Sequence, residues 1–190
     1  VRRALEELQD HVHYYYRHRR SAAFCQMAAQ TIDELKSAGL SGAQLAELAP
    51  DCGPESGKLS ELALIFQGYE TLLAGTGMDP ADRLELAADR LEAALARDEL
   101  PDFLREREVF IDEFDTFNAP KRALLAAMLP VADVTVCLCC DGEQDSDGGM
   151  GLFSGAKHVI HTLKRMANDA NIPTHTEVLT ADRRHADAPA

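Results

Sequence analysis

Over the first hundred residues apolar positions recur at the three- and four-residue steps of amphipathic helices. Leu5, Leu8, Val12 and Tyr15 set out a first helix. Ser21 caps a second, which carries Phe24, Met27, Ala28, Ile32 and Leu35 on one face and stops at Gly39. Ser41 and Gln44 form a capping box that opens a short third helix, closed by Pro50. Leu59, Leu62, Phe66, Tyr69 and Leu73 mark a fourth, with Ser56 as its cap and Gly75 as its end. Asp79 followed by Pro80 opens a fifth, bearing Leu84, Ala87, Ala88, Leu91 and Leu95, and Leu100 with Pro101 ends the run.

From about residue 101 the pattern changes to strand alternating with helix. A strand over 108–112 leads to a helix over 118–129, a strand over 133–140 and a Gly/Asp-rich loop over 141–151. A helix over 155–171 and a strand over 176–180 follow. Strands joined by crossover helices predict a parallel βαβαβ arrangement. The fold class is therefore helix-dominant α/β: a helical subdomain over 1–100, then a small three-stranded parallel sheet over 101–180. The tail, 181–190, has no apolar face and is expected to be flexible.

Composition narrows the function classes. Apolar residues make up 46% of the 190, with no Trp and 6% aromatics, which suits an Ala/Leu-rich helical core. Net charge is −13, but the first twenty residues carry five Arg against three acids, so the remainder is −15. An acidic chain binds a phosphate backbone only through a local patch or a larger assembly. No apolar run approaches a membrane span, so no membrane partner and a cytoplasmic location are expected. A start at Val1, inside a periodic helix, reads as an excised piece of a longer protein. Cys137, Cys139 and Cys140 lack a CxxC partner pair and read as small buried hydrophobes, not as a metal site.

The strand over 108–112 breaks from Val109, Phe110 and Ile111 into Asp112 and Glu113. In nucleotide-driven motors such a carboxylate, at the carboxyl end of a parallel strand, holds a Mg²⁺-bound water, and a neighbouring Glu polarises the attacking water. The next strand runs into Asp141, with Gln144 three residues on. Parallel strands ending in polar groups at one edge describe the crevice where open α/β sheets bind ligands, so Asp112, Glu113, Asp141 and Gln144 are the nucleotide/Mg²⁺ candidates. No phosphate loop accompanies them. Gly53 to Ser60 is one residue short between its glycines, has Leu59 where Ser/Thr should stand, and lies between helices. Tyr14, Tyr15 and Tyr16 run into Arg17, His18, Arg19 and Arg20, which makes Tyr14, Arg17, Arg19 and Arg20 weak DNA-contact candidates. Two other readings stay open: a Mg²⁺-dependent phosphotransfer or phosphohydrolase domain using Asp112, Glu113 and Asp141, and a helical protein-interaction adaptor.

These residues resemble the UvrD-like helicases, whose second motif reads roughly DEFQDT and whose third reads GDxxQ. Asp112, Glu113 and Phe114 match the former, and Asp141 with Gln144 the spacing of the latter. A closer resemblance is to the AddB-type subunits of bacterial ATP-dependent helicase–deoxyribonucleases. Asp112, Phe114, Phe117 and Pro120 follow their DGF-GF-P-Q pattern, with Lys121 in place of Gln. The stretch 24–45, the stretch 58–69 with Asp82, Arg83 and Leu84, Leu152 with Phe153, and 161–164 resemble further family segments. The likeness spans roughly 20–180. It implies a helical subdomain inserted into a RecA-like core with a degenerate Walker B strand, in a DNA-tracking, structural helicase-like module. It implies an AddA-type helicase–nuclease partner, double- and single-stranded DNA, resection of double-strand breaks, and Mg²⁺ and ATP in the intact parent but none in this stretch. Glu113 stands where the family has Gly, Asp115 where true helicases have Gln, and the loop over 145–151 replaces their SIY continuation. The family's phosphate loop, nuclease domain and iron–sulfur cysteines have no counterpart here.

Overall fold

Among the residues described by the computed structural model (1–75, 77–104, 107–144 and 149–179), helices dominate and the strands are short. They run α1 (Arg2–Glu7), α2 (Ala22–Ser37), α3 (Gly42–Leu48), α4 (Ser56–Ala74), α5 (Pro80–Ala96), β1 (Glu108–Ile111), α6 (Ala119–Met128), β2 (Asp133–Val136) and α7 (Ser154–Asp169). Two compact units result: Val1–Pro101 with Phe117–Met128, and Asp102–Thr116 with Leu129–Ala190.

In the helical unit the buried core is Leu5, Val12, Phe24, Ala28, Ile32, Leu45, Ala63, Ile65 and Phe66, of which the predicted stripes supply Leu5, Val12, Phe24, Ala28, Ile32 and Phe66. Leu8, Tyr15, Leu35, Leu59, Leu62 and Tyr69 pack partly buried against it, whereas Met27, expected on the α2 face, is exposed, and Leu45, Ala63 and Ile65 join from outside the predicted stripes. Local signals delimit the helices. Ser41 and Gln44 make a reciprocal capping box on α3, and Asp79 and Asp82 make one on α5, ahead of Pro80. Helix α2 stops at Gly39 in a Schellman turn, with the Gly39 N–H donating to the Lys36 carbonyl and the Leu40 N–H to that of Leu35. Asp98 and Asn171, also at positive φ, end α5 and α7 with the same pair of bonds. Close helix approach demands small residues: a Cβ on Gly42 would lie 2.8 Å from the Gln67 backbone nitrogen of α4. Helix α6 packs on α5 and α2.

The first helix is shorter than its periodicity predicts. Helix α1 ends at Glu7, and 8–20 is a series of turns. The Glu61 carboxylate, on α4, accepts the backbone N–H groups of His13, Tyr14 and Tyr15. A side chain thus satisfies donors that a longer helix would have satisfied internally. Apolar spacing still holds, since Val12 is buried and the Tyr15 ring packs 4.9 Å from that of Phe24. Ser56 does not cap α4: Glu55 precedes the helix in an already helical conformation, continuing a 3₁₀ turn, so no extended cap residue exists.

In the second unit β1 and β2 pair in parallel, Glu108 opposite Asp133 and Ile111 opposite Val136. Among the described residues the expected third strand is not formed: 176–179 carries no strand, and Val178 and Leu179 stay exposed, while residue 180 lies outside the described residues. A parallel strand gains its stability from a ladder and from burial on both faces, and this short segment gains neither. Strand β2 also ends at Val136, not at 140. Its partner turns away after Ile111, and the Cys137 N–H makes the last ladder bond to the Ile111 carbonyl, 2.8 Å. Cys137 and Cys139 are consequently exposed rather than buried as expected. The tail, 181–190, lies outside the described residues.

Candidate functional site

The matched register of β1 and β2 brings both carboxyl ends to one edge of the ladder. Asp112 follows β1 directly and is exposed; its Oδ1 accepts the Glu113 N–H at 2.9 Å. Glu113 is exposed at φ +62°, a left-handed conformation unusual for a residue with a side chain. That local turn directs the chain away from the ladder. Gln144 is exposed, and part of the loop beyond it, 145–148, lies outside the described residues.

Asp141 lies five residues past the end of β2, not at the strand end, and it is engaged. Lys157, on the first turn of α7, is buried and places its Nζ 2.9 Å from Asp141 Oδ1. The hydrogen bond from Lys157 holds the Asp141 carboxyl below its usual range. Beside it Lys164 donates to Glu143 at 2.6 Å, and that bond, with the Thr176 hydroxyl, lowers the Glu143 carboxyl as well. Cys140 Sγ lies 2.9 Å from the Gly142 carbonyl oxygen. Two lysines of α7 thus neutralise the acids that follow β2. A cleft of about 370 Å³ at the start of α7 is lined by Gly149, Ser154, Gly155, Lys157, His158 and His161, a set with no carboxylate.

Whether these residues fit Mg²⁺–nucleotide turns on that pairing. Binding the ion at Asp141 would require displacing an ammonium already in hydrogen-bond contact, and no group of three potential ligands converges among the described residues. Gly53–Glu55 forms a 3₁₀ turn and Gly57 lies inside α4, so their N–H groups make no cradle after a strand. Lys58 of the same stretch pairs with Glu55 and lies over the Tyr14 ring. The donor set does not fit the group, and no chemical step follows from it.

The family description "ADDB, N-terminal" matches residues 1–190. The chain belongs to this family. It is 34% identical over 182 residues to the B-type subunit of the ATP-dependent helicase/deoxyribonuclease of Moorella thermoacetica, covering 90% of this chain and 15% of that protein. The like-named subunits of Listeria innocua (24% over 192 residues) and Desulforamulus reducens (28% over 188) match 99% and 94% of this chain and 16% of each relative. This AddB-family chain thus spans about 15% of the length of the curated relatives it matches. No helix among its described residues is long and apolar enough to cross a membrane.

Family-like motifs that sequence reading left without a role meet inside the helical unit of this AddB-family chain. Lys36 is 5% exposed; its Nζ lies 2.5 Å from Asp79 Oδ2 and also pairs with Asp82. The Tyr69 hydroxyl donates to the same Asp79 oxygen at 3.4 Å. Burial alone would depress the Lys36 ammonium, but the bonds to Asp79 and Asp82 outweigh it and raise it. Burial likewise pushes Asp79 up, and the Lys36 bond overrides it, so its carboxyl is lowered. The signal was legible: Phe24, Ala28, Ile32 and Lys36, four apart, form one buried stripe, and a Lys in register with an apolar stripe needs a partner. Of the aromatic–basic cluster, Arg17 and Arg20 are exposed, while Arg19 stacks on Tyr16 at 3.6 Å.

Proposed function

We propose that this chain is a structural, DNA-tracking part of an AddB-type subunit, acting with an AddA-type helicase–nuclease in the cytoplasm to resect DNA double-strand breaks. In this reading ATP and Mg²⁺ serve the intact assembly, and this stretch holds neither. The observation that carries it is the internal neutralisation of Asp141 and Glu143 by Lys157 and Lys164. Acids held in ion pairs stabilise a loop, whereas a Mg²⁺ site keeps its carboxylates available. The family match supports the assignment to a helicase/deoxyribonuclease subunit. The Mg²⁺-phosphotransfer alternative lacks an activated nucleophile near Asp112 among the described residues, and the adaptor alternative does not account for the family match over residues 1–190.

A chimaera tests the proposal. This chain would replace the aligned segment of the Moorella thermoacetica protein, and the reconstituted helicase/deoxyribonuclease would be assayed for ATP-dependent degradation of linear duplex DNA. Activity should survive, and survive equally with Asp112→Asn and Glu113→Gln. A chimaera that assembles but degrades no DNA would refute the placement, and loss of ATP hydrolysis with Asp112→Asn alone would restore a motor site here.

A further inference from the structure

Three arginines meet in the helical unit with no carboxylate of the described residues paired to any of them. Arg2, Arg19 and Arg20, with Leu5, Glu6 and Gln9, line a cleft of about 410 Å³ between α1 and the turns that follow it. None of the three arginines forms an ion pair among the described residues, although the chain carries net charge −13. Arg19 is held rigidly: its guanidinium stacks 3.6 Å over the Tyr16 ring and donates from Nη1 to the Tyr16 carbonyl. Its Nε is buried with no protein acceptor in reach. A fixed guanidinium flanked by two more arginines and an amide suits an oxyanion, and the planar fork matches phosphate geometry. Tyr16, 54% exposed, packs against the cleft-lining Arg19, and Tyr14, also 54% exposed, lies on the same run of turns. Exposed aromatic faces beside cationic phosphate seats are the elements of single-strand recognition, where bases stack and the backbone is neutralised.

We propose that Arg2, Arg19, Arg20 and Gln9 seat backbone phosphates of single-stranded nucleic acid, with Tyr14 and Tyr16 as stacking platforms. The shortened α1 creates the site, because the Glu61 anchor turns the chain so that Arg19 and Arg20 return to Arg2. The proposal deepens the DNA-tracking reading above and rests on it; Arg2 and Gln9 are additions that no sequence motif singles out. Glu6 is the one opposing charge in the cleft.

The test is fluorescence anisotropy of labelled oligothymidylate against the 190-residue chain over a salt series. Three phosphate contacts predict a slope of log Kobs against log salt of about −2. Arg2→Ala/Arg20→Ala, both at exposed positions, should weaken binding about tenfold or more and flatten the slope by roughly one or more. Glu6→Gln should tighten binding, and melting temperatures of the variants establish that they fold. Unchanged affinity and slope in a folded Arg2→Ala/Arg20→Ala variant would overturn the site. Stabilisation by inorganic phosphate, abolished by the same variant but without oligothymidylate binding, would overturn the nucleic-acid assignment in favour of a free anion. If the site fails while the chimaera still degrades DNA, only this proposal falls; an inactive chimaera with the cleft binding intact sinks the functional reading alone.

Discussion

Replacing Lys36 by Met tests the buried ion cluster that joins α2, α4 and α5. The substitution keeps the apolar stem in the α2 stripe and deletes the ammonium between Asp79 and Asp82. Removing one partner of a buried pair costs about 3–5 kcal/mol, because the other charge is left buried and alone. Two features reduce this. The Asp82 side chain is 30% exposed, and the Asp79 carboxylate still accepts the Asp82 N–H at 2.9 Å as the α5 cap. A loss of about 2–3 kcal/mol is expected; with a urea m-value near 2 kcal/mol/M the midpoint falls by roughly 1–1.5 M. All four tyrosines lie in the helical unit and the chain has no Trp, so tyrosine fluorescence reports that unit alone. Adding Asp79→Asn and Asp82→Asn to Lys36→Met should recover much of the loss, since Asn retains the cap and removes the orphaned charge. A midpoint shift under about 0.3 M, or further destabilisation by the added Asn residues, would refute the reasoning, because an energetically silent pair behaves like an exposed one.

The same cluster fixes the sign of the pH dependence. The Asp79 carboxyl is depressed below its usual 3.8, so its contribution is present above that pH and lost as pH falls through the lower folded value. Lys36 is raised above 10.5, so its contribution is complete below that pH and lost as pH climbs through the higher folded value. Glu85, pushed up by burial and by Asp82, acts oppositely, gaining stability as it protonates in mild acid. Urea midpoints taken from pH 2 to 12 should therefore show an alkaline loss that Lys36→Met reduces, leaving the part due to Tyr15 and Tyr69, whose hydroxyls burial also pushes up, while Glu85→Gln makes the acid limb steeper. A third prediction concerns Glu61→Ala, which strips the acceptor from three consecutive N–H groups; about 2 kcal/mol is expected from charge-assisted bonds that are partly exposed. Amide exchange at Tyr15 should accelerate with it, and unchanged protection there would show that the turns stand without the anchor.

Sequence alone determined what depends on neighbours along the chain. Helix existence followed from apolar spacing, and helix ends from residues that act within one turn: Ser41 with Gln44, Asp79 before Pro80, and Gly39 at positive φ. The parallel pairing of β1 and β2 followed from the crossover length, and the family from the order of motifs. What depends on remote partners was decided only by tertiary structure. Whether 8–20 stays helical rests on Glu61, some 46 to 48 residues away. Whether 133–140 stays extended rests on where β1 turns off, since a ladder ends with its shorter strand. Whether Asp141 is available to a ligand rests on Lys157, because a carboxylate's chemistry is set by the charge it meets and not by the motif around it. The Arg2, Arg19 and Arg20 cleft is of the same kind: the run 14–20 offered Arg19 and Arg20, but nothing along the chain tied Arg2 to them, and only the turn that folds the segment back brings the three charges together.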